Sequence, residues 1–236
     1  MQSPFKMNWL ATGVLVCLAT AAKAHPRPAV IELFTSEGCS SCPPAESYLG
    51  ELSQHRDVLA LAFHVDYWDD LGWKDPFALR EAVTRQRGYA QTLHRSSVYT
   101  PQIVIDGRDD YMGTDRSGVG KSISVARNGI PVVVSIHGGE VQVELGHEDR
   151  AATSDVLLIA YLRKSVSAIG RGENAGRTLQ EFNIVRAIHN LGRWSGQIET
   201  LRSEIATLPQ DATDVAVLVQ PLGQAPVIGA AACALR

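Results

Sequence analysis

The run Ala29-Val-Ile-Glu-Leu-Phe-Thr-Ser-Glu-Gly-Cys-Ser-Ser-Cys-Pro-Pro-Ala-Glu46 constrains the fold of this 236-residue chain more than any other segment. From Ala29 to Phe34 it has the length and β-branched content of a buried strand, whereas Pro43 and Pro44 fit only the first turn of a helix, where no amide hydrogen bond is lost. Cys39 and Cys42 therefore close a strand and open a helix, and two thiols at such a junction point to redox chemistry. The helix dipole and free backbone N–H groups are expected to hold Cys39 as a thiolate and make it the better nucleophile. Cys42, one turn deeper, is then placed to attack a mixed disulfide formed at Cys39. A structural zinc site would need a second ligand pair at similar spacing. No two histidines supply one, so no metal is assigned.

The N-terminus carries Lys6, an apolar stretch from Trp9 to Ala22, and Ala22-Lys23-Ala24, which has the small-x-small form of a signal-peptidase site. Residues 1–24 read as a secretory signal, and Cys17 leaves with it because Val16 stands where a lipoprotein signal needs a small residue. No later segment reaches the ~18 apolar residues of a membrane span, so no membrane insertion is expected after cleavage. Loss of Lys6 and Lys23 takes the formal charge from −3 to −5, and no basic patch recruits nucleic acid. A periplasmic or secreted location is oxidising, which permits a Cys39–Cys42 disulfide and leaves Cys233 as an odd thiol. Cys233 sits among alanines and reads as a small buried apolar residue.

Beyond the first strand, Ala45, Tyr48, Leu49 and Leu52 mark one helix face, Val58 to Val65 a second strand, and Asp75-Pro76 the start of a helix over Phe77 to Leu93. Ile103 to Ile105 is a third strand, Asp106-Gly107 a hairpin turn leading toward Met112, and Arg116 to Arg127 a closing helix. From Pro131 the texture changes to short period-two runs: Val132 to His137, Val141 to Leu145, Val156 to Arg163, Val166 to Ile169, Asn183 to Ile188 and Val215 to Val219. Such spacing argues for an antiparallel sandwich. The expected domains are 25–128 and 129–236.

The order β-α-β-α-β-β-α in the first half, with a cysteine pair after the first strand, resembles thioredoxins and glutaredoxins. Glu32-Leu-Phe-Thr35 before Cys39-Ser-Ser-Cys42, and Thr100-Pro-Gln-Ile-Val-Ile-Asp-Gly107, are the segments that carry the likeness. More closely, the chain is similar to a family of secreted bacterial thioredoxin-like proteins catalogued as a domain of unknown function. That likeness rests on the cysteine motif, on His64-Val-Asp-Tyr-Trp-Asp-Asp-Leu-Gly-Trp-Lys-Asp-Pro-Phe77, on Tyr99-Thr-Pro-Gln102 and on Arg171-Gly-Glu-Asn-Ala-Gly-Arg177. The resemblance implies an α/β thioredoxin-like domain followed by an all-β, sandwich-like C-terminal domain. It also implies a cis Thr100–Pro101 bond that aims the backbone of Thr100 at the disulfide, so that an extended substrate can pair with it. The 62 positions from Cys39 to Pro101 exceed what compact relatives need, and the excess, around Trp68 to His94, suits a lid or a groove. The glutathione clamp of glutaredoxins is reduced to Met112-Gly113-Thr114-Asp115.

The resulting expectation is an exported thiol–disulfide oxidoreductase acting on protein or small-molecule thiols and disulfides, without an organic cofactor. Cys39 and Cys42 are its catalytic pair and Thr100 and Pro101 its substrate-binding residues. Glu32 reads first as a solvated or salt-bridged strand residue, and would relay a proton to Cys42 if buried. His64 reads first as a satisfied core histidine, and otherwise would tune the thiolate or bind a metal. Trp68 and Trp73 either line a peptide groove or pack the inserted segment. The cluster Arg171, Glu173, Asn174 and Arg177 either recognises a partner or bridges the two halves. Two other classes stay open: a copper-binding chaperone using the same cysteines and His64, and a non-catalytic interaction protein. The direction of exchange and the oligomeric state are left open by the sequence.

Overall fold

A computed structural model describes residues 25–235; the expected signal segment lies outside the described residues. The chain forms β1 (His25–Pro26), β2 (Ala29–Thr35), α1 (Pro43–Leu52), β3 (Val58–His64), α2 (Arg80–Thr92), β4 (Gln102–Ile105), β5 (Asp109–Met112), α3 (Arg116–Ile123) and β6 (Asn128–Gly129) in its first half. The second half contributes β7 (Val132–His137), β8 (Glu140–Leu145), β9 (Ser154–Ala168), β10 (Thr178–Trp194), β11 (Glu199–Glu204), β12 (Asp214–Pro221) and β13 (Gly229–Ala234). From β2 to α3 the order is the one read from the sequence. Helix α2 starts three residues later than expected because Asp75 is used otherwise. Its carboxylate accepts the Phe77 N–H, and the Leu79 N–H is taken by the His64 carbonyl.

The largest difference from expectation is the sheet. β13-β12-β9-β10-β3-β2-β4-β5 form one eight-stranded sheet, with β10 parallel to β3 and β2 parallel to β3, the other pairings being antiparallel. Strands from residues 129–236 thus complete the sheet begun by residues 25–128, and no break between sheets falls at the expected boundary. The physical reason is the free edge of β3, whose unpaired N–H and C=O groups need a neighbour. β10 supplies it through the Ile184–Ala62 pairing, and the Asn183 side chain donates to the Ala60 carbonyl at 2.8 Å. The short runs expected at 156–163 and 166–169 are one fifteen-residue strand, and 183–188 is the middle of a seventeen-residue one. Polar residues such as Lys164, Ser165 and Asn190 made these long strands look broken.

Period-two alternation sets the layers. Ile31, Leu33, Ala60, Ala62, Ile103 and Ile105 face α1 and α3. Val30, Phe34, Leu61, Phe63 and Val104 face the opposite way, toward α2, and join Ile159, Val185 and Leu218 of the second half. A sandwich does form locally. The three-stranded sheet β11-β8-β7 lays Val141, Val143 and Leu145 on Val156, Leu158, Val215, Val217 and Val219. Among the described residues no helix is long and apolar enough to cross a membrane.

Candidate active site

Cys39 and Cys42 are joined in a disulfide. The turn that carries them is tied by the Cys39 N–H to the Ser36 carbonyl and the Cys42 N–H to the Cys39 carbonyl. Cys42 is the N-cap of α1, with Pro43 and Pro44 as its first two residues. This changes the expected support for the Cys39 thiolate. Prolines offer no N–H, and the N–H groups of Ala45 and Glu46 both bond the Cys42 carbonyl, so free amides of the first turn do not serve the sulfur. What reaches Cys39 Sγ is the Ser41 hydroxyl, at 3.3 Å, within a helix-terminal field that favours negative charge.

Both cysteines are buried, Cys39 completely, whereas Ser40 and Ser41 between them are exposed. The cover comes from the loop joining β9 to β10. Asn174, fully buried, donates through Nδ2 to the carbonyls of Glu37 (2.8 Å) and Cys39 (3.0 Å), while its Oδ1 accepts from Arg177. Glu173 accepts from the Ser40 hydroxyl (2.6 Å) and its N–H (3.3 Å), which holds the Glu173 carboxyl below its ordinary value. The Arg171–Arg177 cluster therefore bridges the two halves as one of its readings foresaw, and its anchor is the cysteine turn itself.

The other walls are aromatic. Trp68 lies against Gly38, where an added Cβ would stand 3.1 Å from Trp68 Cβ, and its indole N–H donates to Thr100 Oγ1 at 2.8 Å. Trp73 donates to Glu37 Oε2 at 2.6 Å and packs on Gly172 of the covering loop. The Thr100–Pro101 bond is cis, and Pro101 and Ala45 of the first turn of α1 both crowd Gly113, where an added Cβ would stand 2.7 Å from each. Trp68 and Trp73 thus tie the inserted segment to the cysteine turn, to Thr100 and to the covering loop.

Glu32 is buried, as the relay idea required, but it points the wrong way. It lies on the α2 face of β2, where Arg85 binds it through Nε and Nη2 and the Tyr89 hydroxyl donates to it at 2.6 Å. The adjacent residues Ile31 and Leu33 face α1, the helix that Cys42 caps, so alternation turns Glu32 away from that side. It is a salt-bridged strand residue, the first of its two readings.

His64, at the end of β3, is fully buried beneath the site. Its Nδ1 meets Asp75 Oδ2 at 2.8 Å, and its Nε2 faces Glu46 at 3.8 Å and Glu181 at 4.0 Å. Burial lowers its pKa, but Asp75, Glu46 and Glu181 together outweigh that and push it up to about 10. The ring is an imidazolium at neutral pH. Asp75 is raised by burial but brought below its ordinary value by the imidazolium and by hydrogen bonds from His64, Glu37 and Phe77. Glu46 and Glu181 are pushed up by burial, against the pull of His64, and Glu181 reaches about 8. The sequence reading missed these two carboxyls. Glu46 stands four residues after Cys42 on the same helix face, a spacing that was legible. Glu181 arrives from the distant β10 and left no local signal. Among the described residues, no group of three histidine, cysteine or acidic side chains is arranged to hold a metal ion.

Cys233 is a free thiol on the edge strand β13, half-buried rather than buried as expected, because successive residues of that strand alternate between the sandwich and solvent.

The family described as "Protein of unknown function (DUF1223)" matches residues 30–220. An X-ray crystal structure of a protein from Agrobacterium tumefaciens is similar at a TM-score of 0.76 and 30% identity, covering 90% of this chain and 95% of that one. HBP35 of Porphyromonas gingivalis is similar in fold at a TM-score of 0.62 and 15% identity, covering 89% of this chain and 76% of that one. No match is found among curated proteins.

Proposed function

Since the chain belongs to the DUF1223 family, whose description assigns no reaction, we propose from the site itself that it is an exported thiol–disulfide oxidoreductase built on a thioredoxin-like first half. The observation that carries this reading is the Cys39–Cys42 disulfide at the N-cap of α1, with the Ser41 hydroxyl on the Cys39 sulfur; the cis Thr100–Pro101 bond supports it, with Pro101 and Ala45 of the first helical turn on either side of Gly113. A disulfide meant only to staple a fold would close a long loop and gain loop entropy. This one closes a loop of two residues inside an already well-packed turn, so chemistry explains it better than stability does.

In the proposed cycle a substrate thiolate attacks Cys39 Sγ, the Cys39–Cys42 bond breaks, and Cys42 leaves as a thiolate. The substrate's second thiolate then attacks the mixed disulfide and releases Cys39. Run backward, the Cys39 thiolate attacks a substrate disulfide and Cys42 resolves the mixed species. Substrates are protein or small-molecule thiols and disulfides, with Thr100 and Pro101 as the residues that receive an extended segment. No organic cofactor is needed for either direction.

The test is turnover. Catalysed exchange between reduced dithiothreitol and a small disulfide should accelerate with the protein and fall to background in Cys39→Ser. Undiminished catalysis in that variant refutes the reading.

A further inference from the structure

Beside the first turn of α1 lies a cavity of about 190 Å³, lined by Ser36, Cys42, Glu46, Ser47 and Glu181 among others. It brings Cys42 together with two acidic side chains that the proposed exchange leaves without a task. Both oxygens of Glu46, Oγ1 of Thr35 and Nε2 of His64 are buried without a well-formed hydrogen bond among the described residues, Thr35 being the hydroxyl that interacts with Glu46. Buried polar groups of that kind are costly unless they serve a purpose or meet water. The space has the size and polarity to hold water.

The charged groups that line it are Glu46 of α1 and Glu181 of β10, whose Oε2 also accepts from Ser167 at 3.3 Å. His64 of β3 faces both of them and is bound in turn by Asp75 of the loop before α2, which also accepts the N–H of Glu37 from the cysteine turn. Three carboxyls, Glu46, Asp75 and Glu181, share the His64 imidazolium. Burial and their mutual repulsion disfavour ionisation of Glu46 and Glu181, so these two can hold protons.

On the oxidoreductase reading, we propose that Glu46 and Glu181 are the proton store of Cys42, taking its proton when it resolves a mixed disulfide and returning one when it leaves as a thiolate. His64, held by Asp75, keeps the store charged to accept or release a single proton. When the protein oxidises, Cys42 gives its proton to a carboxylate of the pair through the cavity. Its thiolate then attacks Cys39 Sγ, and the substrate departs as a thiolate. When the protein is reduced, the carboxylic acid protonates the departing Cys42 thiolate. Each direction moves two electrons between the sulfurs and one proton between Cys42 and the pair. The raised carboxyls support this assignment, since a proton passes most readily between groups of similar pKa, and Glu181 at about 8 lies near an ordinary thiol.

The test uses reduced protein carrying Cys17→Ala and Cys233→Ala, so that Cys39 and Cys42 are its only thiols, and dithiodipyridine, which releases one thiopyridone when Cys39 attacks and a second when Cys42 resolves. The first phase then reports Cys39 and an intact fold. In this parent protein the second phase should rise with pH and level off near pH 8. Glu46→Gln and Glu181→Gln, measured separately, should slow the second phase about tenfold or more below that pH, remove the levelling, and leave the first phase within about twofold. A second phase unchanged in both variants, or both phases slowed alike, overturns the proposal. Release of a single thiopyridone by the parent protein instead overturns the oxidoreductase reading on which it rests.

Discussion

Asn174→Ala should open the site. The side chain spans from the covering loop to the cysteine turn with two hydrogen bonds from one amide, and both ends are buried. Its loss leaves the Cys39 carbonyl with the Cys42 N–H but strands the Glu37 carbonyl and releases Arg177. Two hydrogen bonds at about 1 kcal/mol each, plus part of the cost of about 1–3 kcal/mol for an unpaired buried acceptor, give about 2–4 kcal/mol against the closed loop. Because Cys39 is fully covered, attack on the disulfide must wait for that loop, and a factor of ten follows from each ~1.4 kcal/mol. Reduction of the oxidised protein by dithiothreitol, read by alkylation and mass spectrometry at fixed pH, should accelerate by about thirtyfold or more. Glu173→Gln, whose contact is exposed, should change it by about threefold at most. A rate for Asn174→Ala within twofold of the wild type refutes the cover as the barrier to Cys39.

Arg85→Met strands the Glu32 carboxylate in the core and should cost about 3–5 kcal/mol in urea unfolding, with the cysteine chemistry of the folded protein unaltered; a cost below about 1 kcal/mol contradicts the ion pair. The buried cluster sets a pH dependence of stability. Glu181 is raised from 4.5 to about 8, so its contribution is present below about pH 4.5 and lost as pH rises toward 8. That of His64 is present below about 6.5 and lost on approach to 10. Stability should therefore decline from acidic to alkaline pH, and Glu181→Gln should flatten the lower part of that decline in thermal unfolding. A wild-type profile that is flat between pH 5 and 8 contradicts the burial of these groups. Cys233→Ala on the edge strand should leave disulfide exchange unchanged in rate, and a change beyond about twofold would tie that thiol to the cycle.

The strand-turn-helix around the cysteines was legible because β-branched residues and paired prolines act within a few positions. Thr100–Pro101 was legible as a motif. What escaped was everything decided by distant pairing. Glu32 is buried, the condition a relay would need, yet one residue of alternation on β2 sends it to Arg85 instead of Cys42. Glu181 has no sequence neighbour that links it to the site, since it is carried there by β10 pairing on β3. The same pairing merged two expected domains into one sheet. The polar residues inside β9 and β10 reflect strands that leave the core and run on toward solvent, which a local hydrophobic pattern reads as two strands with a break.

The most direct test of the account is trapping with Cys42→Ser. Reduced variant protein mixed with a small disulfide should accumulate a single mixed disulfide on Cys39, mapped by peptide mass spectrometry and stable until a reductant is added. The wild type under the same conditions should pass through to the Cys39–Cys42 disulfide. Absence of an adduct on Cys39, or an adduct on Cys42 formed as fast in Cys39→Ser, would contradict the division of roles between the two sulfurs.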